Sequence, residues 1–417
     1  MKGNTLRVGW FLAKRQIVGS SKATTLLIIF IMLLTYLNLV VVSGILVGTI
    51  QGIVNTIQEK YLGDVFISTL KNSRYIERTP EMVSFIKTLP QVENITVRYT
   101  ESGVIDAKYK EIQKSKEIHD TVATSIAGIV PSEEDMATNL REMITEGEYL
   151  ADDDYDQVMM GASLFRRYLD IESDIYSVLD DDVVIGSKVM ISIGDIKREV
   201  TVKGIIQTKV DEIDRRVFFT ANQFRNLVGR YDYSANEMMI NIKKDTDPIA
   251  VKNTIIGAGY GKYAKIQTAL DAEPQFVKDM RDTFAMLGNI ISSIGLVVAA
   301  ITVFIVIFIN AITRRKFIGI LKGIGISNFS IEFSYIIQSV FYAVCGILIG
   351  VLIIFLLLKP FFAENPIEYP FGDGILVAEV SGTTIRAMIL LIATIVAGYI
   401  PARMVVKQNT LDSILGR

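Results

Sequence analysis

Few residues in this 417-residue chain could carry out covalent chemistry or bind a transition metal. His119 is the only histidine and Cys345 the only cysteine. No site that needs two imidazoles can therefore be built, whether a metal site or a catalytic one. His119 lies in a polar stretch, and we interpret it as an exposed residue. Cys345 lies within a long apolar stretch and is interpreted as a packing residue. We predict no catalytic residue and no metal site.

Two acidic runs have the residue type that hard cations prefer. The run from Asp152 to Asp156 approximates the start of an EF-hand loop, but Gln157 stands where that loop requires glycine. We interpret this run as a solvated loop, and we interpret Asp180–Asp182 in the same way.

The glycine-rich segments of the chain do not match the known phosphate-binding loops. Gly257, Gly259 and Gly261 do not have the spacing G-x-G-x-x-G, and the pattern G-x-x-x-x-G-K-[ST] occurs nowhere in the sequence. The chain therefore contains no nucleotide-binding loop that we recognise, and we expect it to hold no cofactor. If it runs on ATP, another polypeptide must bind the ATP and its Mg²⁺.

The chain contains four long apolar stretches. Half of the residues are hydrophobic and 21% are charged, with a mean hydropathy of +0.38, so the two kinds must be segregated along the chain. A helix of about 20 apolar residues crosses a bilayer core. We predict transmembrane helices at 23–48, 287–312, 333–358 and 383–404. The first is too long for a signal peptide and is interpreted as an uncleaved anchor.

Charge predicts the orientation of these helices, because Lys and Arg near their ends stay in the cytoplasm. Basic residues cluster in 1–22, 313–332 and 405–417, whereas the short loop 359–382 is mainly acidic. We predict a multi-pass protein of the cell (inner) membrane with both termini inside and 49–286 outside. This outer segment carries 39 acidic and 29 basic residues, which argues against a nucleic-acid partner. Leu6–Ile17 is predicted to be an amphipathic helix on the cytoplasmic leaflet, anchored by Trp10.

The outer segment has the pattern of an α+β domain, which we divide into two lobes, one inserted within the other. Strands are predicted at Val65–Ser68, Val92–Tyr99, Ile126–Val130, Val158–Gly161, Val183–Ile185, Lys188–Ile193, Glu199–Gln207, Val217–Thr220 and Glu237–Ile242. Helices are predicted at Pro80–Leu89, from Ser132, at Ala162–Leu169 and at Pro248–Ile256.

Small and polar residues within the apolar stretches indicate where helices could pack closely. Gly44, Gly48 and Gly52 repeat every four residues, and so do Gly346 and Gly350, a spacing that lets helix backbones approach. Glycines that are tolerated without a packing role would give the same pattern. Asn38 and Gln338 could form hydrogen bonds between helices.

One cytoplasmic segment carries a family resemblance. Thr313–Ser327 reads TRRKFIGILKGIGIS, a basic helix broken by Gly323 and Gly325. It resembles the segment R-x-x-E-I-G-I-L-[KR]-A-x-G-[AM]-S of the MacB/FtsX-type (type VII) ABC transporter permeases, with Phe317 in place of the usual Glu. The tail, which includes Pro401-Ala402-Arg403, is also similar to that family. In the outer segment, Gly128–Pro131 and Val202–Ile205 resemble the lipoprotein-releasing LolC/LolE-type branch.

The resemblance implies a permease that pairs with a second permease, identical or homologous, and binds P-loop ATPase subunits through a coupling helix. The residues implied in coupling are Arg314, Arg315, Lys316, Phe317, Gly319, Ile320, Leu321, Lys322, Gly323, Gly325 and Ile326. The implied work is mechanical and takes place outside the cytoplasm. Lipoprotein release, with a lipoprotein or chaperone as partner, is the first choice. Peptide or macrolide export with an adaptor protein and mechanical signalling to a cell-wall hydrolase follow. A stand-alone binding or sensor module is the alternative from another class.

Overall fold

The structure is a computed structural model that describes residues 2–110, 120–169, 177–180, 182–369 and 372–407. The chain divides into two compact units. The membrane unit comprises Met1–Gln51, Lys278–Glu368 and Asp373–Arg417, and the outer unit comprises Gly52–Val277 and Tyr369–Gly372. His119 lies outside the described residues.

In the described part of the chain, four helices are long and apolar enough to cross a membrane. They are Lys22–Leu62, Gln275–Thr313, Asn328–Glu364 and Val380–Val406, called here the first to fourth membrane helices. Each one includes a predicted span and extends beyond it, because apolar composition marks only the part that lies in lipid. Turns of π-helix occur at Asn38–Val42, Gln58–Leu62 and Ile354–Leu358. Two further helices, Lys2–Val18 and Arg315–Gly323, belong to the membrane unit.

The core of the membrane unit combines aliphatic residues with buried aromatic ones. Met32 and Tyr36 of the first membrane helix are fully buried, as are Tyr335 and Tyr342 of the third. Other faces of these helices are apolar and exposed, among them Ile294 and Val298 of the second membrane helix. Apolar faces of this length are expected to contact lipid or other membrane helices.

The outer unit is built on a mixed ten-stranded sheet in the order β10-β1-β9-β2-β3-β8-β5-β7-β4, with β6 pairing with β2 and β7. The strands are β1 Val65–Ser68, β2 Val92–Asp106, β3 Thr121–Ile129, β4 Ile144–Gly147, β5 Gln157–Gly161, β6 Lys188–Ile193, β7 Ile196–Ile206, β8 Arg216–Thr220, β9 Glu237–Ile242 and β10 Lys265–Thr268. A separate two-stranded sheet pairs β11 Ile367–Tyr369 with β12 Gly372–Gly374.

Strand β2 belongs to both halves of the large sheet. Its first part, Val92 to Arg98, pairs with β9, and its second part, Tyr99 to Asp106, pairs with β3. The strands β3 to β8 are thus inserted in the chain between β2 and β9. Helices of the outer unit lie at Thr79–Lys87, Pro131–Thr138, Asp211–Asp214, Ala221–Leu227, Pro248–Gly257 and Ala269–Ala272. The predicted α+β class is confirmed.

Two local predictions were wrong. The segment predicted as a helix at Ala162–Leu169 forms two 3₁₀ turns, Ala162–Leu164 and Arg166–Tyr168. Phe165 between them is extended and forms an isolated bridge with Leu179, which breaks the helix. The segment Val183–Ile185 is not a strand, because the chain turns there towards Gly186, whose φ is +86°.

Candidate coupling site and a buried ionic network

The predicted coupling segment folds as a short helix, Arg315–Gly323, between the second and third membrane helices. Its inner face consists of Ile318 and Gly319, both buried, and Leu321 packs against the same core. Lys322 Nζ donates a hydrogen bond to the carbonyl oxygen of Val406, 3.0 Å away, at the end of the fourth membrane helix. An apolar face and the hydrogen bond of Lys322 therefore both hold the helix to the membrane unit.

The face of the coupling helix that points away from the core of the membrane unit is apolar and exposed. Phe317 is 70% exposed and Ile324, which follows the helix, is 71% exposed, while Ile320 between them is also exposed. Lys316 and Gly323 lie exposed beside them, and Arg314 and Arg315 are half-buried at the start of the helix. Large apolar side chains grouped on a small basic helix are costly to leave in water, so this face has the character of a docking surface.

The end of the coupling helix is fixed by a Schellman motif. The amide of Ile326 donates to the Leu321 carbonyl and the amide of Gly325 to the Lys322 carbonyl, both at 3.0 Å. Gly325 has a φ of +89°, a conformation that glycine adopts without strain. Ser327 then begins the third membrane helix, because its hydroxyl accepts a hydrogen bond from the Ser330 amide.

The N-terminal helix Lys2–Val18 packs against the start of the third membrane helix. Ser330 Oγ donates to the Thr5 carbonyl at 3.0 Å, and a Cβ on Gly9 would lie 2.8 Å from Phe333 Cδ1. Ala13 is buried in this unit, whereas Trp10 is exposed. The exposure of Trp10 is compatible with the predicted contact with lipid.

The glycines singled out in the sequence lie in two kinds of environment. A Cβ on Gly346 would lie 2.6 Å from Met32 Cβ, and one on Gly350 would meet Tyr36, so the third membrane helix approaches the first at these positions. Cβ atoms on Gly44 and Gly48 would instead meet the extended segment Ile375–Val377 before the fourth membrane helix. Gly52 is buried.

Among the described residues, neither of the two polar residues predicted to bond between helices forms such a hydrogen bond. Gln338 Nε2 donates to the Tyr342 hydroxyl at 2.9 Å, one turn along its own helix. Asn38 Oδ1 is buried without a hydrogen-bond partner among the described residues and faces Gly295 of the second membrane helix. Asn38 also begins a π-helical turn.

A buried ionic network lies at the outer end of the first membrane helix, within the outer unit. Arg98 of β2 contacts Glu134 of the helix Pro131–Thr138, with Nη2 2.6 Å from Oε1 and Nε 3.0 Å from the same oxygen. Thr96 Oγ1 donates to the other carboxylate oxygen at 2.7 Å. Arg98 Nη1 donates to the carbonyl of Tyr61, 2.8 Å away, in the last turn of the first membrane helix.

The second half of this network involves Arg216 of β8 and Glu237 of β9. Arg216 forms a bidentate pair with Glu237, at 3.0 and 2.9 Å. The Tyr61 hydroxyl lies 3.1 Å from both the guanidinium and the carboxylate. Burial by itself raises the pKa of Glu237, but the charge and hydrogen bonds of Arg216 outweigh it and lower the pKa below its ordinary value.

The network contains two guanidinium and two carboxylate groups, so its charges balance in the interior. It joins Tyr61 and the carbonyls at the helix end to β2, β8, β9 and one helix of the outer unit. Sequence reasoning missed it because its members are far apart in the chain. A weak signal was present in the sequence, because Arg98 follows the apolar residues Ile95 and Val97 and Arg216 begins the largely apolar strand RVFFT.

Comparison with known proteins places the chain in a family. The family model described as "MacB-like periplasmic core domain" matches residues 25–258, and "FtsX-like permease C-terminal" matches residues 289–410. An uncharacterized ABC transporter permease of Methanocaldococcus jannaschii is 22% identical over 279 residues, which cover 66% of this chain and 65% of that protein. The chain thus spans less than two thirds of the length of this curated relative.

Two solved structures are similar to part of the chain. The periplasmic region of MacB from Actinobacillus actinomycetemcomitans covers 50% of this chain and 89% of its own, at 12% identity and a TM-score of 0.33. The extracellular domain of the ABC-type transporter YknZ from Gram-positive bacteria covers 49% and 99%, at 10% identity and a TM-score of 0.32. With four membrane helices, a large extracytoplasmic domain and matches to both family models, the chain belongs to the MacB/FtsX-type ABC transporter permeases.

Proposed function

We propose that this permease is driven by a separate P-loop ATPase subunit that docks on the coupling helix Arg315–Gly323. The exposed apolar face formed by Phe317, Ile320 and Ile324 carries this proposal. An ATPase surface with apolar side chains and a rim of carboxylates would cover these residues and pair with Arg314 and Lys316. Phe317, where the family has Glu, makes the contact more apolar than the resemblance implies.

The docked helix has a direct route to two membrane helices. Gly325 and Ser327 connect it closely to the third membrane helix, and Lys322 bonds to the end of the fourth. A displacement of the coupling helix would therefore move both helices. In this proposal the termini and the coupling helix are cytoplasmic, and the protein lies in the inner membrane.

On the far side of the membrane, the buried ionic network would receive the motion of the first membrane helix. Its hydrogen bonds with Tyr61 are 2.8–3.1 Å long and partly buried, so a pull on Tyr61 would act on β2, β8 and β9 together. We propose that this work releases lipoproteins from the membrane, with a second permease chain completing the transporter. The resemblance of Gly128–Pro131 and Val202–Ile205 to the lipoprotein-releasing branch supports this substrate.

Affinity purification from native membranes in mild detergent, followed by mass spectrometry, tests the proposal. We expect a stoichiometric P-loop ATPase with the unchanged protein and at least a ~30-fold loss of it with Phe317→Asp, since a central apolar contact contributes about 2 kcal/mol. Val184→Asp, at an exposed apolar residue of the outer unit, is the matched control and should retain the ATPase.

Two results would contradict the proposal. One is the absence of any P-loop ATPase under conditions that keep a known transporter assembled. The other is equal loss of the ATPase in Phe317→Asp and Val184→Asp, which would show a general effect of the added charge. A co-purifying lipoprotein supports the proposed substrate, whereas a co-purifying adaptor protein replaces it with peptide or macrolide export.

A further inference from the structure

Three carboxylates of the outer unit meet although they are far apart in sequence. One oxygen from each of Asp120, Asp180 and Asp182 lies within 4.8 Å of the others. Two oxygens that bind one Ca²⁺ ion at 2.3–2.6 Å lie at most about 5 Å apart, so this spacing is compatible with a shared ion. Asp120 lies directly before β3, and Asp180 and Asp182 lie in the segment that leads to β6.

A second observation points to a ligand at this cluster. Asp120 is only 5% exposed, and its Oδ2 atom is buried without a hydrogen-bond partner among the described residues. Its Oδ1 atom accepts a hydrogen bond from the Asp180 amide at 3.1 Å, which turns the carboxylate towards the Asp180 segment. A buried carboxylate oxygen with no partner costs free energy, and a bound cation would remove that cost.

The basic residues near the cluster do not satisfy Asp120. Lys108 Nζ lies 2.8 Å from Asp180 Oδ2 and 3.7 Å from Asp182 Oδ2, and Arg166 is 3.8 Å from Asp180. Both basic side chains remain partly exposed and can turn into solvent. The three carboxylates therefore keep an excess of negative charge on their buried side.

The acidic run from Asp152 to Asp156 differs from this cluster in its hydrogen-bond and ion-pair partners. Asp154 pairs with Lys203 and Asp156 with Arg198, each at 2.6 Å, and Asp152 accepts a hydrogen bond from the Ser132 amide. These carboxylates therefore have their own protein partners. The cluster around Asp120 differs because Asp120 Oδ2 is buried and has no hydrogen-bond partner among the described residues.

We propose that Asp120, Asp180 and Asp182 bind a divalent cation of the Ca²⁺ type. Oxygen-only ligands favour Ca²⁺ over transition metals, and the remaining coordination positions are available to water and backbone carbonyls. Because the outer domain is extracytoplasmic, a dissociation constant of about 10⁻⁴–10⁻³ M is sufficient for occupancy, as in extracellular modules. The ion would fix the start of β3 to the segment before β6.

The role of Lys108 in this proposal is that of a competitor. The Lys108 ammonium pairs with the Asp180 carboxylate. It must move away when Ca²⁺ binds to that carboxylate. Removing its charge with Lys108→Met should raise the affinity for Ca²⁺ by about tenfold, because a neighbouring positive charge repels the divalent ion. A merely structural ion pair predicts no gain from this substitution.

The test is amide hydrogen exchange of the full chain in nanodiscs of phosphatidylcholine, with CaCl₂ varied from 0 to 10 mM at constant ionic strength. We expect exchange in peptides containing Asp120 and Asp180 to slow with a midpoint between about 0.1 and 1 mM. Asp120→Asn and Asp182→Asn should each shift the midpoint upward by at least about tenfold. Asp153→Asn, which removes an exposed carboxylate elsewhere, is the control and should leave it unchanged.

Each outcome decides the proposal. A Ca²⁺ midpoint that Asp182→Asn raises and Lys108→Met lowers supports it, even if Asp120→Asn fails to fold. No change in exchange up to 10 mM CaCl₂, or the same change in Asp182→Asn as in the unchanged protein, overturns it. An equal response to MgCl₂ at the same midpoint would overturn the preference for Ca²⁺.

Discussion

Arg98 and Glu134 form an ion pair that is closed off from water, with Nη2 2.6 Å from Oε1 and side chains that are 2% and 1% exposed. Charges this deeply buried are stable only while both are present, because each alone would carry the full desolvation cost. The pair also connects β2 to the carbonyl of Tyr61.

The stability effects of the two partners of this pair should be coupled, because each charge is buried against the other. We expect Arg98→Met or Glu134→Leu alone to lower the free energy of unfolding by about 3–5 kcal/mol. The double variant should lose less than the sum of the two. Denaturant unfolding of the purified protein in detergent, read by circular dichroism, measures this. Additive losses would show that the two side chains act independently.

Tyr61→Phe separates a mechanical role of the network from a structural one. The substitution removes only the hydroxyl that lies 3.1 Å from both Arg216 and Glu237 and leaves their bidentate pair in place. We expect a stability loss of about 1 kcal/mol. Substrate released per ATP hydrolysed should fall several-fold in reconstituted liposomes. Tyr260→Phe, another hydroxyl of the outer unit, is the control. Unchanged stoichiometry would argue against transmission through Tyr61.

Two glycines of the coupling segment should respond differently to alanine. Gly325 has a φ of +89°, so Gly325→Ala introduces backbone strain of about 1 kcal/mol and loosens the Schellman motif. A Cβ on Gly323 meets nothing within 4 Å, and Gly323 lacks a positive φ, so Gly323→Ala serves as the matched control. We expect transport to fall relative to ATP hydrolysis only in Gly325→Ala. Uncoupling by both, or by neither, would contradict the assigned role of the turn.

Gly346 is expected to be intolerant of side chains. Its Cβ would lie 2.6 Å from Met32 Cβ and 2.9 Å from the backbone nitrogen of Leu33, and backbone cannot move aside cheaply. Gly346→Leu should lower the thermal unfolding temperature in detergent by several degrees through overpacking. Leu348→Phe, which enlarges an exposed side chain of the same helix, is the control and should lack this effect. A similar decrease in both would point to a general effect on the third membrane helix.

Sequence patterns predicted elements well where one local property defines them. The bounds of β1, β6 and β9 agree with the alternation of apolar residues, and the membrane helices include the long apolar runs. The missed strands β4 and β10 read ITEG and KIQT, with one strongly apolar residue each, whereas the equally short β1 reads VFIS. The helix predicted at Ala162–Leu169 does not form, because Phe165 is extended and pairs with Leu179. A pattern in the local sequence cannot show this contact.

The candidate sites also differ in whether the sequence could predict them. The coupling helix could be predicted because its residues are contiguous. The network of Arg98, Glu134, Arg216 and Glu237 could not be predicted, since its members come from four elements that only the sheet order brings together. Asp120 likewise contacts Asp180 although the two residues are 60 positions apart in the chain.

Asp214 is expected to make stability depend on pH in a direction opposite to that of most carboxylates. Its side chain is buried and accepts hydrogen bonds from the amide and hydroxyl of Thr208 and from the amide of Lys209. Burial raises the pKa of Asp214 to about 6, although these hydrogen bonds favour the charged form. The pKa of an unfolded Asp is about 3.9.

Between these two values the folded state binds more protons than the unfolded state, so the contribution of Asp214 to stability is lost as pH rises from about 4 through 6. The total is about 3 kcal/mol, from a pKa difference of about two units. Asp214→Asn removes this titration while other groups, such as Glu199 with a pKa lowered to about 2, contribute equally to both proteins. We expect the stability of the unchanged protein relative to Asp214→Asn to fall by that amount between pH 4 and 7, measured by urea unfolding. A difference that stays constant with pH would show that Asp214 is ionised throughout and held by its three hydrogen bonds.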